Sequence, residues 1–192
     1  MRLILFDMNP DMCAAWRKVF GQDKDVDIIN CDLTELSPCD YLITAGNSYG
    51  IMNGGIDLTV RNFYGVELQD EIQWIIVNKC KGLLKIGDLI DILLINDNMF
   101  KHLIYVPTMR IPGPVSAENV TIAFGAAIEH IFDSEIKKAY SNTNFSIACP
   151  GLCTGAGGVN VLEAASRMRV VWNYEWDGNF KMPPPRPQRE RR

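Results

Sequence analysis

The chain has 192 residues, 47% of them apolar and 22% charged, with a formal net charge of −4. That length suits one domain whose core needs no disulfide or metal staple. No apolar run approaches the ~20 residues of a membrane helix, and the opening MRLILFDMNPDM carries Asp7 and no small-residue cleavage site, so it reads as a first strand and not as a signal peptide.

The six cysteines (Cys13, Cys31, Cys39, Cys80, Cys149, Cys153) sit mostly in apolar settings. They read as reduced, buried thiols in a cytoplasmic setting. There is no CxxC, and His102 and His130 are far apart in the chain, so neither a structural zinc site nor a cofactor is expected. Residues 181–192 carry five basic side chains and one acid, a net +4 that leaves −8 for the body. An acidic body argues against broad nucleic-acid binding by the fold itself; no membrane partner is expected, and only the basic tail is suited to nucleic acid or an acidic partner.

Taken in order, Arg2–Asp7 reads as a buried strand. Asn9-Pro10 is an N-cap with proline at the first helical position. Met12, Ala15, Trp16, Val19 and Phe20 have helical spacing, and Gly21 stops them. Val26–Ile29 is a short strand leading into the polar turn Cys31-Asp32-Leu33-Thr34, and Tyr41–Thr44 is the third strand. A helical region runs from Ile56 to about Lys81, interrupted near Gly65, with Val66, Ile72, Ile75 and Ile76 as its core stripe. Leu89–Ile95 reads as a strand, Asn96-Asp97-Asn98 as a turn, and Leu103–Val106 as a strand ending at Pro107. Thr108–Pro114 is irregular. Ser116 caps a helix whose apolar face is Val120, Ala123, Phe124, Ala127, Ile128 and Ile131. Phe145–Cys149 is a strand, and Asn160-x-x-Glu163 resembles a capping box for a helix through Met168. After Trp176 the composition turns to proline and arginine, so residues 1–176 form the domain and 177–192 read as a disordered tail. Strands alternating with helices give an α/β fold, a largely parallel sheet with helices on both faces.

Two stretches carry the chemistry. Ile43–Gly65 leaves a strand at Ala45-Gly46, passes through Asn47, Ser48, Gly50, Asn53, Gly54 and Gly55, and re-enters a helix at Ile56. Cys149–Gly158 (CPGLCTGAGG) also follows a strand. Free N–H groups at a helix start and in a glycine turn make an anion site, and glycine lets a ligand approach the backbone. Either loop alone reads equally well as a tight turn. Both belong at the carboxyl ends of strands, where ligands of such sheets sit, so they form two walls of one pocket. The second loop lacks the Lys-Ser/Thr of a P-loop and the G-x-G-x-x-G of a dinucleotide site. Cys153 lies beside it, but neither histidine has an evident route to act as its base.

Asp32-Leu33-Thr34, Ala45-Gly46-Asn47-Ser48, Gly54-Gly55-Ile56-Asp57 and Cys153-Thr154-Gly155-Ala156-Gly157-Gly158 occur in the order and approximate spacing of a macro domain, an ADP-ribose-binding family that the chain resembles over roughly residues 25–168. Pro107–Pro112 and the Pro-Gly-Leu-x-Thr-Gly-x-Gly-Gly form look like a branch common in phages and large DNA viruses, which would put the protein in host cytoplasm. The resemblance implies a single three-layer α/β/α macro-type domain with a mixed, largely parallel central sheet. It implies that Asp32 and Leu33 mark the adenine end, with Asp32 accepting from the adenine amino group. Gly46, Gly54, Gly55 and Ile56 would line the diphosphate and distal ribose. Cys153, Thr154, Gly155, Ala156, Gly157 and Gly158 would hold the diphosphate from the other side. Asn47 would hold the distal ribose, and Asp57 would orient substrate or water at its anomeric carbon; these two are the catalytic candidates.

No metal enters this scheme. An acid at a helix start is also stabilised there with no further role, by about 0.3–1 kcal/mol. The implied partner is ADP-ribose or an ADP-ribosylated target, and the implied activity is hydrolysis of ADP-ribosyl linkages or processing of ADP-ribose derivatives. A non-catalytic reader module and a virion-associated structural protein are the alternatives. Thr44 stands where many macro domains have Asn, Asn53 where many have Gly, and Gly157 where many have an aromatic that stacks on the distal ribose; Tyr49 or Phe63 are the candidates to replace it.

Overall fold

The computed structural model describes residues 1–95, 97–138 and 145–176; the tail 177–192 lies outside the described residues. In chain order the elements are β1 (Arg2–Phe6), α1 (Pro10–Phe20), β2 (Val26–Ile29), a 3-10 turn (Leu33–Glu35), β3 (Cys39–Asn47), α2 (Gly55–Tyr64), α3 (Val66–Lys79), β4 (Ile90–Leu93), β5 (Phe100–Met109), α4 (Glu118–Lys138), β6 (Ser146–Cys149) and α5 (Val161–Trp176). The six strands form one sheet in the order β2-β1-β6-β3-β5-β4. Every pairing is parallel except that of β4 with β5.

The alternation of strand side chains assigns the two faces. Leu3, Leu5, Tyr41, Ile43, Ile104, Val106, Ile147 and Cys149 point to a core shared with α1, α4 and α5. Phe6, Leu42, Leu103, Tyr105 and Ala148 point to a second core under α2, α3 and the 3-10 turn. The fold is therefore three layers, as expected. Strands buried on both faces read as continuous apolar runs, which is why β1 showed little alternation in sequence. The six cysteines are free thiols, four of them buried. No helix among the described residues is long and apolar enough to cross a membrane.

Several boundaries differ from the sequence reading. In α3 the buried stripe is Leu68, Ile72 and Ile76, while Val66 is 51% exposed. Gly65, at φ 93, breaks the chain between α2 and α3, so the helical phase restarts after it. β5 runs through Pro107 to Met109, because Pro107 faces Gly46 where the β3–β5 register slips and its missing N–H costs little. α5 continues past Met168 to Trp176, with Val171 and Trp172 buried against the core. Asn160 caps it by accepting from Leu162 N (2.9 Å) and Glu163 N (3.3 Å). Glu163 pairs with Arg167 one turn on, so only half of the anticipated capping box forms.

Candidate functional site

The parallel strands β1, β6, β3 and β5 end side by side, and the loops that leave them enclose a cavity of about 480 Å³. Its walls are the β1–α1 loop (Asp7–Asn9), the 3-10 turn entry (Cys31–Leu33), the β3–α2 loop (Ala45–Asn47 and Asn53–Asp57), the end of β5 and the Cys153–Gly157 loop. Asp7, Asp32 and Asp57 line it, and among the described residues no Lys, Arg or His does. An anion held here would rely on backbone N–H groups and helix termini rather than on cationic side chains.

Those groups are arranged for it. Gly54 is the N-cap of α2, yet no side chain caps the helix, so the first-turn N–H groups keep their capacity for an outside acceptor. Gly55 takes φ +57, and an added Cβ at Gly54, Gly55 or Gly155 would meet nothing within 4 Å, so the backbone there borders open space. The opposite loop is wound around one carbonyl. Cys153, itself at φ 63, accepts from Val159 N at 3.0 Å, and a Cβ on Gly157 would fall 2.5 Å from the same oxygen. Each wall is tied to the stretch from the end of β5 to α4. Val115 N donates to Gly157 O (3.0 Å), Thr108 Oγ1 to Gly46 O (3.1 Å) and Ser48 N to Met109 O (3.0 Å).

Beneath the β3–α2 loop lies a buried polar layer. Asp57 is 3% exposed and accepts from Thr44 Oγ1 at 2.7 Å. Burial pushes its carboxyl up to about 7, and the Thr44 hydrogen bond acts the other way. Tyr105 donates its hydroxyl to Asn47 O (2.8 Å) and accepts from Asn47 N (3.0 Å). Its ring fills the space over Gly46, where an added Cβ would lie 2.1 Å from it. Burial, then the nearby Asp57 charge, raises the Tyr105 hydroxyl well above its ordinary value.

Asp32 is 3-10 cap and cavity wall at once. Its Oδ1 accepts from Thr34 N (3.0 Å) and Thr34 Oγ1 (2.9 Å), while its own N–H donates to Glu35 Oε2 (2.8 Å). The oxygen not spent on the cap is Oδ2. Asp7 spans the β1 and β6 loops, accepting from Asn9 N (2.8 Å) through Oδ1 and from Gly151 N (3.2 Å) through Oδ2.

A family model described as "Macro domain" matches residues 43–168. The chain belongs to the macro-domain family. An uncharacterized protein of Aquifex aeolicus (strain VF5) is 31% identical over 145 residues, covering 75% of this chain and 78% of that protein. Solved structures agree in fold. The macrodomain of Mycobacterium tuberculosis DarG superimposes with a TM-score of 0.62 at 21% identity, covering 74% of this chain and 86% of that one. An Oceanobacillus iheyensis macrodomain variant with ADPR gives 0.57 at 21% identity, covering 73% of each chain. Thermosipho africanus DarTG in complex with ADP-ribose gives 0.57 at 14%, covering 88% of this chain and 49% of that one.

Of the site residues expected for this macro domain, Asp32, Leu33, Gly46, Asn47, Gly54, Gly55, Ile56, Asp57, Cys153, Thr154, Gly155, Ala156 and Gly157 all line the one cavity. Gly158 does not; at φ +65 it turns the chain out of the wall, donating to Gly155 O at 3.0 Å. Tyr49 and Phe63 do not line it either. Tyr49 Oη accepts from Arg110 Nε at 3.4 Å, and the Phe63 ring sits edge-on to Tyr64. The missing aromatic at Gly157 has a local cause, since no side chain fits against the Cys153 carbonyl in this loop. Thr44, which stands where many macro domains have Asn, donates to Asp57. Asn47 uses its amide on its own loop, with Nδ2 donating to Ile51 O (2.7 Å) and Oδ1 accepting from Tyr49 N (3.1 Å) and Ile51 N (3.3 Å). Cys153 is 4% exposed, and burial pushes its thiol up to about 11, which keeps it a neutral wall rather than a nucleophile.

Asp7 and Asn9, the braces Gln69 and Gln73, and Tyr105 escaped the sequence reading. Gln69 Oε1 accepts from Met52 N (2.9 Å) and Gln73 Nε2 donates to Gly50 O (3.2 Å), so one face of α3 holds the β3–α2 loop. The i, i+4 pair of amides was the available signal; Asp7 at the end of a first parallel strand was another.

Proposed function

We propose that this macro domain binds ADP-ribose and hydrolyses ADP-ribosyl linkages, or processes ADP-ribose derivatives, without a metal. The observation that carries the reading is the cavity itself. It joins an acidic hydrogen-bond acceptor at one end, two glycine-built backbone walls in the middle, and the Asn47–Asp57 loop at the other. Adenine lies against Leu33 with its amino group donating to Asp32. The diphosphate lies between the α2 N-terminus and the Thr154–Gly157 turn, where N–H groups and the helix dipole replace cations. The distal ribose then lies over Asn47 and Asp57. Relatives solved with ADPR or ADP-ribose support this ligand.

In the catalytic role, Asp57 orients a water toward the anomeric carbon, and catalysis comes from positioning and from the substrate's own diphosphate. A carboxyl that titrates near neutrality can hold or give up a proton in this role. The substrate in this reading is an ADP-ribosylated target, and the Pro107–Pro112 stretch supports assignment to the phage and large-DNA-virus branch, with a host-cytoplasmic location. One observation favours the reader alternative. Asn47 and Asp57 both have their main hydrogen bonds inside the protein, to Ile51 and Thr44. Release of ADP-ribose from a mono-ADP-ribosylated protein, with the native chain and Asp57→Ala, separates the two. Release that collapses in the variant supports the hydrolase; ligand binding with no release by either protein leaves a reader.

A further inference from the structure

We propose that filling the cavity with ADP-ribose is coupled to the uptake of one proton by Asp57, with Thr44 as the positioning residue that holds the carboxyl. The proposal rests on the ADP-ribose reading and goes beyond it by stating how the ligand's charge is accommodated.

Three features of the site lead there. First, among the described residues no cationic side chain lines the cavity, so an arriving diphosphate brings negative charge into a wall that already holds Asp7, Asp32 and Asp57. Second, Asp57 is the one of these three that is buried, at 3% exposure, so its charge is screened least. Third, it has few groups to offset that charge. From β3, Thr44 Oγ1 donates to Oδ1 at 2.7 Å. From β5, the Tyr105 hydroxyl faces it but spends its proton on Asn47 O. From the glycine loop, the Cys153 thiol, kept neutral by burial, lines the same cavity. Arg61 lies one turn further along α2. What favours the ionised form is the N-terminus of α2, in whose first turn Asp57 sits. The diphosphate would draw on the same helix terminus. Two anions then share one set of N–H groups, and the cheaper arrangement protonates the carboxyl.

The step is simple to balance. One proton from solvent adds to the Asp57 oxygen that Thr44 does not contact, the Thr44 hydrogen bond to Oδ1 persists, and no bond of the ligand is made or broken. Burial already places this carboxyl at about 7, so the uptake falls in an accessible range.

Calorimetric titration with ADP-ribose in buffers of different ionisation enthalpy, at about pH 6, 7 and 8, reads the coupling directly. The native protein takes up close to one proton near pH 8, and its affinity there is about five- to tenfold weaker than at pH 6. Asp57→Asn carries no charge to neutralise, so its affinity and heat are insensitive to pH and buffer, with any contribution of His102 and His130 measured in the same variant. Thr44→Val loses the donor that favours the carboxylate, so its weakening from pH 6 to 8 shrinks to about twofold, while Thr44→Ser keeps the native profile. A merely structural Thr44 would leave the profile unmoved. Binding that is flat with pH, or the same proton uptake in Asp57→Asn, overturns the proposal and leaves the ligand assignment intact. Absence of binding at every pH overturns the ligand assignment and the coupling with it.

Discussion

Replacing Asp57 by Asn should change how stability depends on pH, apart from any effect on ligands. In the folded protein the carboxyl is raised to about 7 from an ordinary 3.8, mainly by burial. Between those values the native state holds a proton that the unfolded chain has lost, so stability falls as pH rises through this window. One pKa unit is worth about 1.4 kcal/mol, so from pH 5 to 8 the native protein loses about 3 kcal/mol through this one group. Asn cannot ionise and escapes that loss. Urea denaturation of both proteins at several pH values across this range measures the difference, and groups common to both cancel. The variant gains on the native protein by about 3 kcal/mol as pH rises, whatever constant offset the amide introduces. A stability difference that stays flat from pH 5 to 8 would refute the claim that Asp57 is buried with too little compensation.

On the proposed reading, Asp32 has two separable duties. Asp32→Asn keeps an oxygen for the Thr34 N–H, so stability stays within a few tenths of a kcal/mol, while ADP-ribose binding weakens roughly tenfold through loss of the charged acceptor; Asp32→Ala adds a cap loss of about 1 kcal/mol, visible in the same denaturation series. Gly157→Ala forces a Cβ to within 2.5 Å of the Cys153 carbonyl and should cost about 1–3 kcal/mol along with ligand affinity, whereas Gly155→Ala meets nothing within 4 Å and should leave the melting temperature nearly unchanged.

The three-layer architecture was legible because each strand is a short apolar run bounded by turn residues, and because the apolar faces of α1 and α4 follow the helical period. Both glycine loops were legible because each begins where such a run ends. The hidden features depend on contacts between segments distant in sequence. Nothing around Tyr105 marks it as the support for Asn47, since its hydroxyl meets that backbone across 58 positions of chain. Asp7 looked like the end of a strand until the fold brought Gly151 to it. Val66 misled because the helical phase was carried across Gly65, where the backbone in fact breaks. Gly158 lies one residue beyond the cavity lining, where the chain turns away, a turn that the run of glycines does not mark.

On the reading proposed above, the two glycine loops and Asp32 form one site for ADP-ribose. Isothermal titration of the protein with ADP-ribose tests it most directly. Saturable binding with one ligand per chain, weakened by Asp32→Asn and by Gly157→Ala, is the predicted result. No heat of binding at millimolar ADP-ribose, or binding indifferent to both Asp32 and Gly157, would contradict it.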